Sequence, residues 1–269
     1  MLERELEFAV SLARQAGELV VSMRGRASTS YKSGVEMVTA ADLASDQLIR
    51  SRIVEAFPQD EILSEEHPDK KEVYQQRVWI VDPIDGTVNY AYGHPYYAIS
   101  IALYDAGRAQ VGVVFNPSLD EMYTAVRGQG AFLNGERIQF QNEKELQRCV
   151  VGTGFPYSKH LRPKAKKWLS YVLDEVSDIR RNGAAALDIC HVATGRLDCF
   201  YETVSLWDCA AARLVATESG ATFGHIYPLG VSEQEEMVSE NLLVASAKVF
   251  KQMRALLQQV PKDYREPAS

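Results

Sequence analysis

The sequence predicts an α/β protein of the α+β kind, and three observations carry that assignment. Apolar residues recur at helical spacing through residues 3–24. From residue 98 to residue 135, short β-rich runs alternate with tight turns, which reads as an antiparallel meander. Beyond residue 144 the pattern changes to strands alternating with helices rich in small residues. The change divides the chain into an N-terminal lobe, 1–143, and a C-terminal lobe, 144–269.

With 269 residues the chain can form one large domain or two lobes with a sizeable core. Hydrophobic residues make up 46% and charged residues 24%, a globular balance that excludes a disordered chain. The net charge of −7 argues against direct nucleic-acid binding and against docking on an anionic membrane, since both need a positive face. An anionic substrate stays open, because bound metal ions invert the local field. Cys149, Cys190, Cys199 and Cys209 form no C-x-x-C pair and lie in apolar contexts, as reduced core thiols of a cytoplasmic protein do. The first residues lack the basic and apolar regions of a signal peptide, and no apolar run reaches transmembrane length.

In chain order, Leu2, Leu6, Ala9, Val10, Ala13, Ala16, Gly17 and Val20 line one side of the opening helix. Gly25 and the polar run 28–30 stop it. Residues 32–38 are expected to be extended or a hairpin turning at Gly34. Thr39 caps a second helix, with Asp42 as dipole partner in its first turn and Leu43, Ile49, Ile53 and Phe57 on its apolar side. Residues 61–66 read as a short strand running into Glu65 and Glu66. Adjacent carboxylates repel, so the pair belongs in solvent or on a cation, and taken alone solvent is the expectation. Residues 67–76 are a polar loop. Strands follow at 98–104, 108–115 and 121–126, with a further edge at 128–135. Gly128-Gln129-Gly130 lacks the strand-to-helix setting of a dinucleotide site. The second part reads as strand 150–154, helix 160–173, strand 179–180 and helix 184–193, which carries His191 at the core edge and is closed by Gly195. A strand at 197–202, a helix opened by Trp207-Asp208 and ending at Gly220, a strand at 242–246, a helix at 247–258 and a frayed tail from Pro261 complete it.

The chain is organised around residues 78–90. Val78, Trp79, Ile80 and Val81 read as a buried strand that ends on Asp82, because Pro83 cannot continue a hydrogen-bonded ladder. Asp85 follows three residues later, and a turn brings both carboxylates to one side. Gly86 offers an unobstructed N–H and Thr87 a hydroxyl. A helix starting near Thr87 aims its free N–H groups at the same place, which sets an anion site beside a cation site. Two acids would repel a phosphate; a divalent metal between them removes that repulsion, and oxygen-only ligands suit Mg²⁺. Asp, Pro and Gly are also ordinary turn residues, so the stretch alone leaves a simple turn open. An aspartyl-phosphate enzyme spaces its aspartates two apart, and a calcium loop needs Glu at its twelfth position, where this chain has Gly93.

Two long motifs, 79–90 (Trp-Ile-Val-Asp-Pro-Ile-Asp-Gly-Thr-Val-Asn-Tyr) and 207–212 (Trp-Asp-Cys-Ala-Ala-Ala), are joined by shorter ones at 38–42, 63–66, 128–131 and 192–195. Through them nearly the whole chain resembles the inositol monophosphatase family of lithium-sensitive, metal-dependent phosphatases. The resemblance implies a layered αβαβα sandwich of the inositol monophosphatase and fructose-1,6-bisphosphatase type. It implies two or three Mg²⁺ per subunit: one on Glu65, Asp82 and the Ile84 carbonyl, one on Asp82, Asp85 and Asp208, and a weaker third near Glu65. Gly86 and Thr87 N–H groups would bind phosphate. The Thr87 hydroxyl, supported by Asp42 and Glu65, would orient the attacking water for in-line hydrolysis without a covalent intermediate. No Cys-x₅-Arg loop or Walker A lysine motif argues otherwise.

The resemblance assigns the alcohol part of the substrate to Asp85, to the backbone around Gly183, Ala184 and Ala185, and to Glu202. The chain departs from the family pattern there: Glu202 to Asp208 is one residue shorter, Ala184 replaces a commonly hydroxylated position, and Glu36-Met37 stands where an Asp-containing pair is usual. The implied activity is hydrolysis of a small sugar or polyol monophosphate, foremost inositol-1-phosphate. Val88-Asn89-Tyr90 also resembles fructose-bisphosphatase patterns, which makes that activity the alternative. A protein-interaction role in RNA processing or transcription is the alternative of another class. A cytoplasmic homodimer is implied as well.

Overall fold

The computed structural model describes residues 2–25, 28–33, 36–68, 76–142 and 144–265. The turn expected at Gly34, most of the expected loop 67–76 and the last residues of the tail lie outside these. A long helix, α1 (Glu3–Met23), precedes the hairpin β1 (Thr29–Ser33) and β2 (Glu36–Thr39), and α2 (Ala40–Ala56) follows. Seven strands then pair in chain order: β3 (Glu61–Ser64), β4 (Val78–Asp85), β5 (Ala98–Asp105), β6 (Arg108–Asn116), β7 (Glu121–Val126), β8 (Gly130–Leu133) and β9 (Glu136–Ile138). Only the β3–β4 pair is parallel; the others form the expected antiparallel meander. The short helix α3 (Thr87–Ala91) sits between β4 and β5.

The rest of the chain alternates strands and helices: β10 (Val150–Thr153), α4 (Arg162–Glu175), β11 (Asp178–Arg180), α5 (Ala185–Ala193), β12 (Cys199–Glu202), α6 (Leu206–Ser219), β13 (Thr222–His225), β14 (Leu242–Ala245) and α7 (Ala247–Leu257). Its strands make a second sheet in the order β11-β10-β12-β14-β13. β11, β10 and β12 are parallel, whereas β14 runs antiparallel to both its neighbours.

Side-chain alternation along the strands sorts the core into layers. Trp79, Val81, Ile99, Ile101, Val111 and Val113 pack with α1 and α2 on one face of the large sheet. On its other face Val78, Ile80, Ala102 and Tyr104 join α5 and α6, which also cover Phe200, Phe223 and Val244 of the small sheet. Cys199, Tyr201, Leu243 and Ala245 face the opposite way, onto α4 and α7. The layers therefore run αβαβα, as the resemblance implies. All four cysteines are buried free thiols. Among the described residues no helix is long and apolar enough to cross a membrane.

Four expectations need correction. Leu43 is not on the buried side of α2; it is 51% exposed. That helix buries Asp42, Ser45 and Asp46 beside Ile49 and Ile53, and a polar buried face defeats an apolar-periodicity reading. β4 does not stop at Asp82, because pairing with β5 resumes at Asp85. β9 and β13 are strands too short to show an alternation. The tail is docked as far as Tyr264: Lys164 Nζ donates to the Lys262 carbonyl at 3.2 Å, and Tyr264 packs against the outer core.

Close packing of α6 on the large sheet rests on small residues. Ala102, Gly112 and Ala125 are neighbours across β5, β6 and β7 and form a shallow trough for the alanines at 210–212. A Cβ on Gly112 would stand 2.5 Å from the Ala211 carbonyl oxygen, so helix and strand meet backbone to backbone. Gly112→Ala is expected to cost at least about 2 kcal/mol, since neither backbone can yield cheaply. Urea unfolding of the variant checks this; an unchanged midpoint would contradict it.

Candidate metal centre and substrate cavity

Residues three apart on a regular strand point to opposite faces. Asp82 pairs with Ser100 and Asp85 with Ala98, so β4 carries one more residue than β5 over this interval. The bulge, placed at Pro83, turns both carboxylates to the same side. Asp208 arrives from the other half of the chain, in the first turn of α6. The Ser100 hydroxyl, opposite Asp82, donates to the Trp207 carbonyl at 3.3 Å and ties the start of α6 to the strand beside Asp82.

Each aspartate is aimed by the backbone. Asp82 Oδ1 accepts the Ile84 N–H at 3.0 Å. Asp85 accepts the Ala185 and Ala186 N–H groups, at 3.2 and 2.7 Å, and so caps α5. Asp208 Oδ2 accepts the Ser205 N–H at 2.8 Å. One oxygen from each of the three lies within 4.8 Å of the others. Asp82 is 1% and Asp85 6% exposed. Burial, and then the neighbouring carboxylates, push both well above the usual carboxylate range. Burial likewise raises Asp208 to about 6. Three carboxylates at this separation, two buried and Asp208 half-buried, call for a cation, and a donor set of oxygens alone fits a hard ion such as Mg²⁺.

Glu65 follows β3 and is held next to β4 by its N–H, which donates to the Val81 carbonyl at 3.2 Å. Its carboxylate is not part of the aspartate trio. It pairs with Lys32 of β1 at 2.9 Å, and Lys32 also reaches Glu66 at 2.6 Å. The adjacent acids thus sit on a cation, not in solvent as their local pattern suggested. Burial raises Glu65 to about 7 against the pull of Lys32, with Asp208 adding to the rise. Burial opposes the charge on Lys32, yet Glu65 and Glu66 outweigh it and raise the ammonium above its usual value.

α3 begins where the reading placed it. Gly86 is its N-cap at φ 90°, a left-handed backbone, and a Cβ there would lie 3.1 Å from both the Gly183 and Tyr96 carbonyls. The Thr87 hydroxyl lies 2.9 Å from Asp42 Oδ1 and 3.1 Å from the Ile84 carbonyl. Asp42 Oδ2 accepts the Thr39 N–H at 2.8 Å and the Thr39 hydroxyl at 2.5 Å. Asp42 therefore caps α2 with one oxygen and holds Thr87 with the other. Glu65, expected to support Thr87 too, is turned to Lys32 instead.

A cavity of about 340 Å³ joins these parts. Asp82, Asp85, Asp208, Glu65, Gly86 and Thr87 line it together with Gly183, Ala184, Ala185 and Glu202; Asp42 stands behind Thr87. The Ala185 N–H is directed at Asp85. Burial, reinforced by Asp208, raises Glu202 well above its usual range. Sequence reading missed Asp188 and Arg181, which also line the cavity. Asp188 carried a usable signal: it is the one acid in the otherwise apolar run 184–190.

Carboxylates raised in the folded state hold protons that the unfolded chain has released. Asp208 moves from 3.8 to about 6 and Glu65 from 4.5 to about 7, so their cost is absent at low pH and grows as pH rises through that window. Metal-free protein should lose thermal stability from about pH 4 to about pH 7, and Mg²⁺ should restore more of it at the upper end. Thermal unfolding with EDTA or Mg²⁺ at both ends reads this; a Mg²⁺ shift independent of pH would contradict it.

The comparisons with known proteins agree with this geometry. The sequence profile of the Inositol monophosphatase family matches residues 1–262. Nus factor SuhB of Escherichia coli (strain K12) is 35% identical over 266 residues, covering 93% of this chain and 94% of that one. The crystal structure of extragenic suppressor protein suhB from Bartonella henselae aligns with a TM-score of 0.85 at 31% identity, over 96% of this chain and 99% of that one. The inositol monophosphatase from Anabaena (Nostoc) sp. PCC 7120 aligns at 0.83 and 30% identity, over 97% of each chain. On the full-length match and the shared fold, this chain belongs to the inositol monophosphatase family.

Proposed function

We propose that the protein is a Mg²⁺-dependent phosphatase that hydrolyses a small sugar or polyol monophosphate, foremost inositol-1-phosphate. The observation that carries the reading is the trio Asp82, Asp85 and Asp208, within 4.8 Å of one another beside the start of α3. Asp82, Asp85, Asp208, Glu65 and the Ile84 carbonyl would hold two or three Mg²⁺, which supply Lewis acidity at the water and at the phosphoryl oxygens. Gly86 and Thr87 present N–H groups to the phosphate. The Thr87 proton has two acceptors in reach, Asp42 Oδ1 and the Ile84 carbonyl, so a Thr87 lone pair is left to accept a hydrogen bond from the attacking water and orient it. Asp85, Ala185, Gly183 and Glu202 face the alcohol. In this reading lobe 1–143 holds phosphate and most of the metal ligands, while lobe 144–269 reads the alcohol and adds Asp208.

Charge around the cavity favours a neutral alcohol. Among the described residues lining it are seven carboxylates and one guanidinium, that of Arg181. Four of those acids are occupied as metal ligands; the second phosphate of fructose-1,6-bisphosphate would still meet Glu36, Asp188 and Glu202 against Arg181, so the bisphosphatase reading ranks below the monophosphatase one. A protein-interaction role in transcription or RNA processing is a second reading, favoured by the relatives named Nus factor SuhB. A cytoplasmic homodimer inhibited by lithium completes the proposal.

Asp82→Asn should lower kcat/KM for inositol-1-phosphate on the order of 10³-fold, because it removes a ligand charge at the centre of the trio. Thr87→Ala should cost on the order of 10²-fold, mostly in kcat. Phosphate-release assays on inositol-1-phosphate and fructose-1,6-bisphosphate measure both effects and rank the substrates. Faster turnover of the bisphosphate would reverse the ranking. A cellular phenotype that survives Asp82→Asn would favour the interaction role.

A further inference from the structure

Of the two acids of the cavity wall that no role above uses, Glu36 and Asp188, Asp188 is the buried one. It stands in the first turns of α5 and is 2% exposed. Its Oδ1 accepts two hydrogen bonds, from the Tyr96 hydroxyl at 2.8 Å and from Asn182 Nδ2 at 2.6 Å. Behind Tyr96 stands His191, whose Nδ1 is 3.2 Å from the tyrosine oxygen, and Arg196 Nη1 lies 3.2 Å from His191 Nε2. Arg196 is itself anchored on Glu121 at 2.7 Å.

The chemistry of the donors gives this chain a direction. Arginine only donates; where Arg196 Nη1 gives His191 Nε2 one of the two protons it shares with Glu121 and the Tyr123 hydroxyl, the ring proton sits on Nδ1. Nδ1–H then donates to the Tyr96 oxygen, which sends the tyrosine proton on to Asp188. Burial, with the Arg196 charge adding to it, lowers His191 to about 4, in keeping with a neutral ring. Every proton in the series points at Asp188, and both side-chain donors fall on the same oxygen. Oδ2 is left for the cavity that Asp188 lines. The same frame carries the phosphate end: Asn89 of α3 donates to the Tyr96 carbonyl at 2.7 Å and to the Asn182 carbonyl at 2.8 Å.

We propose that Asp188 is a specificity-determining residue, whose Oδ2 takes a hydrogen bond from a hydroxyl on the alcohol part of the substrate, with Tyr96 and His191 as its positioning residues. The assignment rests on the phosphatase reading and narrows it: the leaving alcohol carries at least one further free hydroxyl, placed toward α5. An ester without one leaves a buried acid facing an apolar group.

The test compares inositol-1-phosphate with p-nitrophenyl phosphate, which has no hydroxyl, in the Mg²⁺-loaded full chain. Asp188→Ala should lower the ratio of kcat/KM for the first over the second on the order of 10- to 100-fold, chiefly through KM. Tyr96→Phe, which removes one of the two donors on Oδ1 but keeps the acid, should lower the ratio less. Asp188→Asn keeps the shape and the Oδ1 acceptor, and guards against a folding defect; it should also shift the ratio. An unchanged ratio in Asp188→Ala and Asp188→Asn, whether both esters slow together or neither does, overturns the assignment and leaves the phosphatase reading standing. Wild-type protein that turns over neither ester overturns both.

Discussion

Mutual repulsion among buried carboxylates is the constraint around which this molecule is arranged. Asp82, Asp85 and Asp208 are brought within 4.8 Å of each other, the first two buried and the third half-buried. None of the three is held by a flexible surface segment. One hangs from a bulge in the large sheet, one caps α5, and one opens α6. Because α5 and α6 are packed between the two sheets, the scaffold cannot relax the charges apart without opening its middle layer. Protonation or a bound cation is the remaining relief.

The same side chains serve the fold and the site. Asp42 closes the start of α2 with one oxygen and fixes the Thr87 hydroxyl with the other. Asp85 satisfies two N–H groups of α5, one with each oxygen, and Asp208 one at the start of α6 with Oδ2, while both line the cavity. This economy gives the site its rigidity, since a ligand cannot rotate away without stranding a buried N–H. Glu65 is the exception. Its position comes from a backbone bond to β4, but its carboxylate answers to Lys32, a residue on a two-stranded hairpin.

Much of this was legible in the sequence, for identifiable reasons. The strand at 78–81 is buried on both faces and so reads as an unbroken apolar run, and the meander announces itself through its turns. The spacing Asp82-Pro83-Ile84-Asp85-Gly86-Thr87 encodes the acids and the helix start locally. What could not be read depends on contacts between distant segments. Whether Glu65 and Glu66 meet water or a cation is decided by Lys32, more than thirty residues upstream. Asp42 reads as a helix-dipole partner because its second oxygen finds Thr87 only in three dimensions. The polar inner face of α2 hides its orientation, and Asp188 passes for the body of a small-residue helix because its partner Tyr96 lies 92 residues away.

The bond from the Ala186 N–H to Asp85 joins residues 101 apart in the chain, and that from Ser100 to Trp207 residues 107 apart. Closures of that span carry an entropic cost that local helices and hairpins do not, and they form late. A growing polypeptide holds its first two aspartates long before the third is synthesised. The acidic trio is consequently complete only in the finished molecule.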